Sequence, residues 1–496
     1  LSYVRRKGLP RRAVPFGIGP PTAAADGDGM PMTTPAPTCQ GADGTAFWPS
    51  TVVSAPVAGS VGELPDSCDV LVVGAGYTGL WSALALLDAD PTLTVCVVDA
   101  AAVGDGASGI NGGFLEPSLT HGIDNGRRLF PDEYRTVERL ARNATRDVER
   151  FLAAEGIACD YEPVGTLECA VADHQCAALD ELATAYQDGG WPVEILDTAR
   201  IRAYLHSPRP VAAVRAPTRG GLLNPYKMVR GLAAAAVRRG ATLVEHHRIV
   251  DLHRDRSGVR AHGANGCRLR CQQVIMAVDG GVRHLLRRTR LASIPLEDYV
   301  MVSEPLGQAR RTSLGWERRE GIADRSGAFT SLRLTADDRL FWGGSEAVYR
   351  FGSTHPTNLQ PHRWERLATD AAAWFPQLAG LRWTHRWTGT VHMSASAIPT
   401  FGTAMTGRVH YVAGYTGLGV LASKVAAEVL AARTLGTTTE AGTLRWATRR
   451  ARPFPPEPLR WAAVQWARHD IAKADRTGTP TLLMTLLDRL GMGFTS

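Results

Sequence analysis

The chain has 496 residues, 44% of them hydrophobic, and a formal net charge of +7. Its length exceeds the roughly 250–300 residues at which one hydrophobic core stops growing, so two packed domains are expected. Nucleic acid is not an expected partner: Arg5, Arg6, Lys7, Arg11 and Arg12 supply much of the charge ahead of the first acid, Asp26, and no nucleic-acid motif accompanies them.

Residues 1–65 are rich in Pro, Gly, Ala and Thr ("GIGPPTAAADGDGMPMTTPAPT") and show no periodicity before "TAFWPSTVV", so a mostly disordered N-terminal extension is expected. The first residue is Leu, which makes Met30 and Met32 candidate translation starts. "AVPFGIGPP" is broken by Pro and Gly where an export signal needs a continuous apolar run. The eight cysteines are scattered without a CxxC pair, which argues against a zinc ribbon or a disulfide framework and for a reducing, cytoplasmic setting. No apolar run reaches the ~18 residues of a membrane span.

The stretch "DVLVVGAGYTGLWSALALLDADPTLTVCVVDA", Asp69 to Ala100, reads as strand, glycine turn, helix and second strand. Gly74, Gly76 and Gly79 have the GxGxxG spacing: one glycine for the tight turn, one for close approach of backbone to a pyrophosphate, one for helix–strand packing. Tyr77 and Thr78 open the helix, whose free amides and partial positive charge favour phosphate. Asp99 closes the next strand, 20 residues after Gly79, where an acid binds ribose hydroxyls. A dinucleotide is therefore expected here.

Next comes "VGDGASGINGGFLEP", Val103 to Pro117, with little to fill a core. Ala107, Ser108, Asn111, Gly112 and Gly113 are its candidate cofactor contacts: Ser108 and Asn111 as donors, the glycines as backbone that passes close to a flat ring. Far downstream, "RVHYVAGYTGLGVLASKVAAEVLAARTLG", Arg408 to Gly436, repeats strand, turn and helix, with Gly414, Gly417, Leu418 and Gly419 in the turn. A visiting nicotinamide cofactor does not need this second unit; a long resident flavin dinucleotide does.

The three stretches, in this order, resemble the FAD-dependent oxidoreductases of the D-amino-acid oxidase superfamily, and "GASGINGG" and "GYTGLGV" are most similar to its gamma-glutamylputrescine oxidase branch. The resemblance runs from about Phe47 to Gly436. It implies an α/β fold: a Rossmann-like, glutathione-reductase-type FAD-binding domain, discontinuous over 66–125, 216–290 and 388–440, and an α+β substrate domain over 126–215 and 291–387 whose antiparallel sheet roofs the flavin. It also assigns Ile249 to an adenine contact and Ala277 and Gly280 to the strand end that approaches the adenosine. The implied chemistry is removal of a hydride from the carbon beside an amine nitrogen of an amine or amino acid, then imine hydrolysis, with oxygen or another acceptor taking the electrons.

A conspicuous acid–base pair is not expected for such chemistry, which needs a neutral amine, an aligned C–H and exclusion of water. Tyr299, Arg333, Tyr349, Trp387 and His392 are the candidate roof residues. Arg333 is either a partner for a substrate carboxylate or a surface strand arginine. A one-residue error in register would turn any of these to the other face. Two departures stand out: Ile110 replaces an arginine common in the branch, and Phe341 aligns with the oxygen-activating lysine of sarcosine oxidase. Relatives attach flavin covalently through His or Cys near the glycine loop or late in the chain; "GASGINGG" holds neither and the last cysteine is Cys271, so noncovalent FAD is expected. No metal is expected. Residues 441–496 read as a helical tail around Trp461, Val464 and Trp466, either packed back on the body or free for a membrane surface or partner.

Overall fold

Strands buried on both faces must be apolar along their length, and those flanking the first glycine turn are. The computed structural model describes residues 45–53, 56–327, 330–344, 347–354, 360–479, 481 and 484–485. It pairs β1 (Ser67–Val73) in parallel with β2 (Val95–Val98) on one side and β3 (Arg268–Met276) on the other. Val73 lies opposite both Val98 and Met276, so the three strands end level at the glycine turn. The sheet runs Thr400–Ala404, Val409–Ala413, β3, β1, β2, Thr242–Val244, with Ile249–Arg254 and Val259–Gly263 joined to β3.

Helices α1 (Tyr77–Ala89), α2 (Pro225–Arg238) and α3 (Gly419–Thr434) pack with this sheet. α1 and α3 are buried on nearly every side, which is why their sequences carry no polar face. α2 starts where Pro225 takes the first helical position and Asn224 Oδ1 accepts from the Lys227 amide at 3.2 Å.

The second sheet contains β4 (Ser293–Pro305), β5 (Thr330–Leu334), β6 (Arg339–Gly344) and β7 (Trp383–Ser394) in the order β7, β4, β6, β5, continuing through Gly321–Asp324, Thr166–Ala170, Ala212–Ala216 and Glu194–Leu196. Its pairs are antiparallel except that between Gly321–Asp324 and Thr166–Ala170. The architecture is thus the expected α/β cofactor sheet joined to an antiparallel roof. β7 pairs with β4 as far as Ser394, so 388–394 stand in the roof sheet and not in the cofactor sheet.

Register divides the roof into two faces. Tyr299, Met301, Leu332, Leu340 and Trp342 are buried with Trp364 and Trp374 of the helix Pro361–Trp374. Val300, Val302, Phe341 and Trp387 are buried on the opposite side with Phe47, Trp48 and Tyr226. The expected disorder of 1–44 lies outside the described residues, but the stretch after it is ordered: Phe47 and Trp48 are 3% and 2% exposed, held between α2 and the roof. A tryptophan finds enough apolar area there to offset the ordering of the backbone around it.

At the far end, α4 (Leu459–Thr477) packs back on the body: Val464 shares a buried cluster with Ile294, Tyr349 and Phe454, while Trp461 and Trp466 are exposed. No helix among the described residues is long and apolar enough to cross a membrane.

Candidate functional site

The first glycine turn is as tight as its spacing predicts. Gly74 has φ +107°, and a Cβ there would stand 2.6 Å from the Ala277 carbonyl oxygen, so β1 and β3 close on each other only through glycine. A Cβ at Gly79 would sit 1.8 Å from the Gly74 carbonyl oxygen, which seats α1 directly on the turn. Gly76 caps α1 without any side-chain bond, and its Cβ position faces Ser108 Oγ at 2.8 Å. Ser108 Oγ in turn accepts from the Tyr77 amide at 3.0 Å, so the serine stands over the helix N-terminus, among the donors a phosphate would use.

Asp99 emerges from β2 into the same turn. Its Oδ2 accepts from the Ala75 amide at 2.7 Å and its Oδ1 from the Ala101 amide at 3.0 Å. Burial raises its pKa against those bonds. Ile249 lies in the same buried cluster as Val98 and Val244, near the end of β2.

The second glycine stretch is held from the roof side by three distant residues. Trp387 Nε1 donates to the Ile110 carbonyl at 3.0 Å, Trp48 Nε1 to the Asn111 carbonyl at 2.8 Å, and Arg333 Nη1 to the carbonyls of Gly112 (3.2 Å), Gly113 (2.9 Å) and Leu223 (2.7 Å). Asn111 turns inward: its Nδ2 donates to the carbonyls of Ala107 and Ser108, and its Oδ1 accepts from the Gly113 amide at 2.8 Å. Gly113, at φ +73°, lets the Leu223 carbonyl approach to 2.1 Å of its missing Cβ, and Gly112 faces Phe114 and Phe341.

The third turn sits beside the first. Thr78 Oγ1 and Tyr415 Oη share a hydrogen bond of 2.8 Å, which ties the start of α1 to the turn before α3. Gly414 (φ +81°) donates its amide to Asp279 Oδ1 at 2.6 Å, Gly417 (φ +89°) faces Val391, Leu418 caps α3 without a side-chain bond, and Gly419 opens it. Burial pulls the pKa of His121 down to about 4 against a hydrogen bond to the Thr416 backbone, so this ring is neutral beside the turn.

The roof candidates divide. Trp387 takes part in the site through Ile110. His392 Nδ1 lies 3.3 Å from Asp279 Oδ2 and its ring fills the place a Cβ of Gly280 would occupy, so it clasps the end of β3. Arg333 is 1% exposed, its Nη1 on the carbonyls of Gly112, Gly113 and Leu223 and its guanidinium 5.3 Å from the Trp48 ring, so it is not a surface strand arginine. Tyr299 is on the wrong face: it is buried against Trp364, 5.0 Å between ring centroids, because its odd position in β4 points away from the glycine loop. Tyr349 also leaves the site, its hydroxyl donating to Glu457 Oε1 at 2.5 Å beside α4. A buried phenol takes the strongest acceptor in reach.

Sequence reasoning missed Trp48, Asp279, His121 and Asp298. Trp48 sits in a Pro-rich context that reads as linker, and Asp279 in a glycine turn that reads as loop. Asp298 is legible only as one of two adjacent acids, with Glu297, just before Tyr299.

The cradle fits an FAD: two helix N-termini whose own N-cap residues, Gly76 and Leu418, make no side-chain bond, turns that a Cβ would fill and a carboxyl fed by backbone amides are the parts that a pyrophosphate and a ribose require. The profile of the family "FAD dependent oxidoreductase" (DAO) matches residues 69–433. The chain belongs to this family. FAD is accordingly the cofactor of this family member, and the protein is an oxidoreductase. It is 31% identical over 369 residues to gamma-glutamylputrescine oxidoreductase of Escherichia coli, covering 74% of this chain and 83% of that protein. It is 26% identical over 381 residues to a probable oxidoreductase, OrdL, of Haemophilus influenzae, covering 75% and 84%. Among solved folds, glycine oxidase from Geobacillus kaustophilus aligns with a TM-score of 0.66 at 19% identity over 78% of this chain and 99% of that one. L-proline dehydrogenase from P. horikoshii aligns with a TM-score of 0.66 at 16% identity, over 77% and 97%.

Proposed function

We propose that this DAO family member oxidises the C–N bond of an amine or amino acid, that the resulting imine is hydrolysed, and that oxygen takes the electrons. Bound noncovalently in the cradle, FAD supplies the hydride acceptor. The observation that carries this reading is the wall that β7 presents between the glycine loop and α3. Trp387 bonds the loop at Ile110, Val391 faces Gly417, and between them a Cβ at Gly389 would meet no heavy atom of the described residues within 4 Å. Four residues of strand span about 13 Å, enough for a flat ring system below and a small substrate above.

The chain's own groups have three tasks in this scheme. Val300, Val302, Phe341 and Trp387 form an apolar wall that keeps water from the reacting carbon. Arg333, Trp48 and Trp387 fix the glycine loop and so would hold the cofactor in one place against the substrate. The start of α3, where Leu418 makes no side-chain bond, would offer backbone amides to the cofactor. Anaerobic addition of amines and amino acids to the yellow protein tests the reading: a substrate bleaches the flavin bands, and failure of a broad panel to do so overturns it.

Phe341 favours a second reading, an amino-acid dehydrogenase with a non-oxygen acceptor. It is 1% exposed between Trp48 and Trp387, where sarcosine oxidase carries its lysine, so no ammonium stands there to attract reduced oxygen species. Peroxide release when air is admitted to the bleached protein supports the first reading; slow reoxidation without a dye acceptor supports the second.

A further inference from the structure

β4 carries one acid toward the glycine loop. Asp298 shares parity with Val300 and Val302, which face Phe341 and Trp387, and it stands directly opposite Gly389 of β7. Paired residues of antiparallel strands point to the same face, so the Asp298 carboxyl borders the open space over Gly389. Two residues along β7 in one direction is Trp387, bonded to Ile110; two in the other is Val391, facing Gly417. The acid therefore lies midway along the wall between the glycine loop and the start of α3, roughly 7 Å of strand from either.

Its surroundings leave its charge unmatched. Asp298 Oδ1 accepts from the Tyr299 amide at 2.9 Å, and the Gly344 amide is its other donor. No cation among the described residues pairs with it. The residue is only partly buried, on the side that borders Gly389. Burial pushes its pKa up to about 6. An isolated carboxylate out of bulk water is costly unless a cation completes it. On the same sheet, Nη1 of Arg333 is engaged by the carbonyls of Gly112, Gly113 and Leu223.

We propose that Asp298 is a specificity-determining residue that anchors a protonated nitrogen of the substrate other than the nitrogen being oxidised, so that the preferred substrate is a diamine and not a simple amino acid. This rests on the amine-oxidising reading above. The reacting nitrogen must be neutral to release a hydride, so the cation beside Asp298 has to be a second one. An ammonium hydrogen-bonded to the carboxylate satisfies both, whereas a substrate carboxylate placed there would face like charge.

The test uses the FAD-loaded protein, with putrescine, butylamine and gamma-aminobutyrate as probes. Perturbation of the flavin spectrum reads binding, and anaerobic bleaching reads oxidation. Putrescine is expected to bind best and gamma-aminobutyrate worst. Asp298→Asn should weaken putrescine binding and raise its KM about tenfold or more, the range for loss of a charged hydrogen bond, while butylamine and kcat change little. Asp298→Glu should restore part of the preference. Gly389→Ala, which leaves Asp298 intact but enters the open space, should weaken putrescine binding as well and serves if Asp298→Asn does not retain FAD. Equal preference in wild type and Asp298→Asn, or a wild type that prefers gamma-aminobutyrate, overturns the proposal. Probes that bind with the expected preference but never bleach the flavin leave the anchor standing and defeat the amine-oxidising reading instead.

Discussion

In the cofactor cradle, Gly74, Gly76, Gly79 and Asp99 act from a single strand–turn–helix–strand unit, whereas on the roof Val300, Arg333, Phe341 and Trp387 come from four strands that meet only through pairing. Each cradle residue has its place set by its neighbours in sequence. Each roof residue has its place set by register, and one position along β4 separates Asp298, beside the open space, from Tyr299, buried beneath the helix Pro361–Trp374. The difference teaches where substitution is catastrophic and where it is selective: backbone geometry in the cradle leaves no room to adapt, while the roof exchanges one side chain at a time.

The sharpest break should come in the cradle. Gly76→Val drives a branched side chain into Ser108 Oγ, already 2.8 Å from the Cβ position, and into the pyrophosphate's approach. The variant should purify colourless; a yellow Gly76→Val would place the cofactor elsewhere. Next, Trp48→Ala removes a fully buried ring that stacks on Phe341 and holds the Asn111 carbonyl, at a cost of about 3–5 kcal/mol. Thermal melting and FAD titration should both register it. A loss of stability without any loss of FAD affinity would mean that the tryptophan supports the roof alone.

How much of this was readable from sequence follows the same division. The GxGxxG turn, Asp99 and the third turn are local patterns whose geometry is nearly dictated by residue type, and the structure brings them together as expected. Arg333, Tyr299 and Tyr349 carry suitable chemistry in the sequence, but the sequence does not tell which way they face. Their positions depend on pairing between segments far apart in the chain, and on competing partners, the carbonyls of the glycine loop for Arg333 and Glu457 for Tyr349. Trp48 was hidden by composition: a Pro- and Gly-rich flank reads as linker even where an aromatic pair docks.

A smaller effect concerns a buried acid on the helix Tyr134–Ala154. Glu138 is buried with Trp191 as its hydrogen-bond donor, and burial pushes its pKa from 4.5 up to about 7. The folded chain keeps this proton while the unfolded chain loses it, so stability from this group is present below pH 4.5 and is lost as pH rises to about 7. Glu138→Gln should remove that slope and raise the melting temperature at pH 8, the shift corresponding to on the order of 3 kcal/mol. An unchanged pH profile of melting would show that the carboxyl is ionised in the folded state.

Asp99→Ala should weaken FAD by roughly 1.5–3 kcal/mol, the loss of charge-assisted bonds to ribose, measured by titration into apoprotein. Unchanged affinity would remove Asp99 from the site. The smallest effect is expected at Tyr299→Phe: among the described residues the buried hydroxyl makes no hydrogen bond of good geometry and lies on the far face, so kcat/KM should stay at the wild-type value and stability should hold or change slightly. A marked fall in kcat would mean that β4 presents the opposite face to the substrate, and Asp298 would lose its role with it.

Whether the cradle holds FAD without a covalent bond is read from the visible spectrum of the purified protein before and after acid precipitation. The prediction is a yellow protein with flavin bands whose colour passes into the supernatant. A colourless protein that also fails to take up added FAD, or a colour that stays with the precipitate, would contradict it.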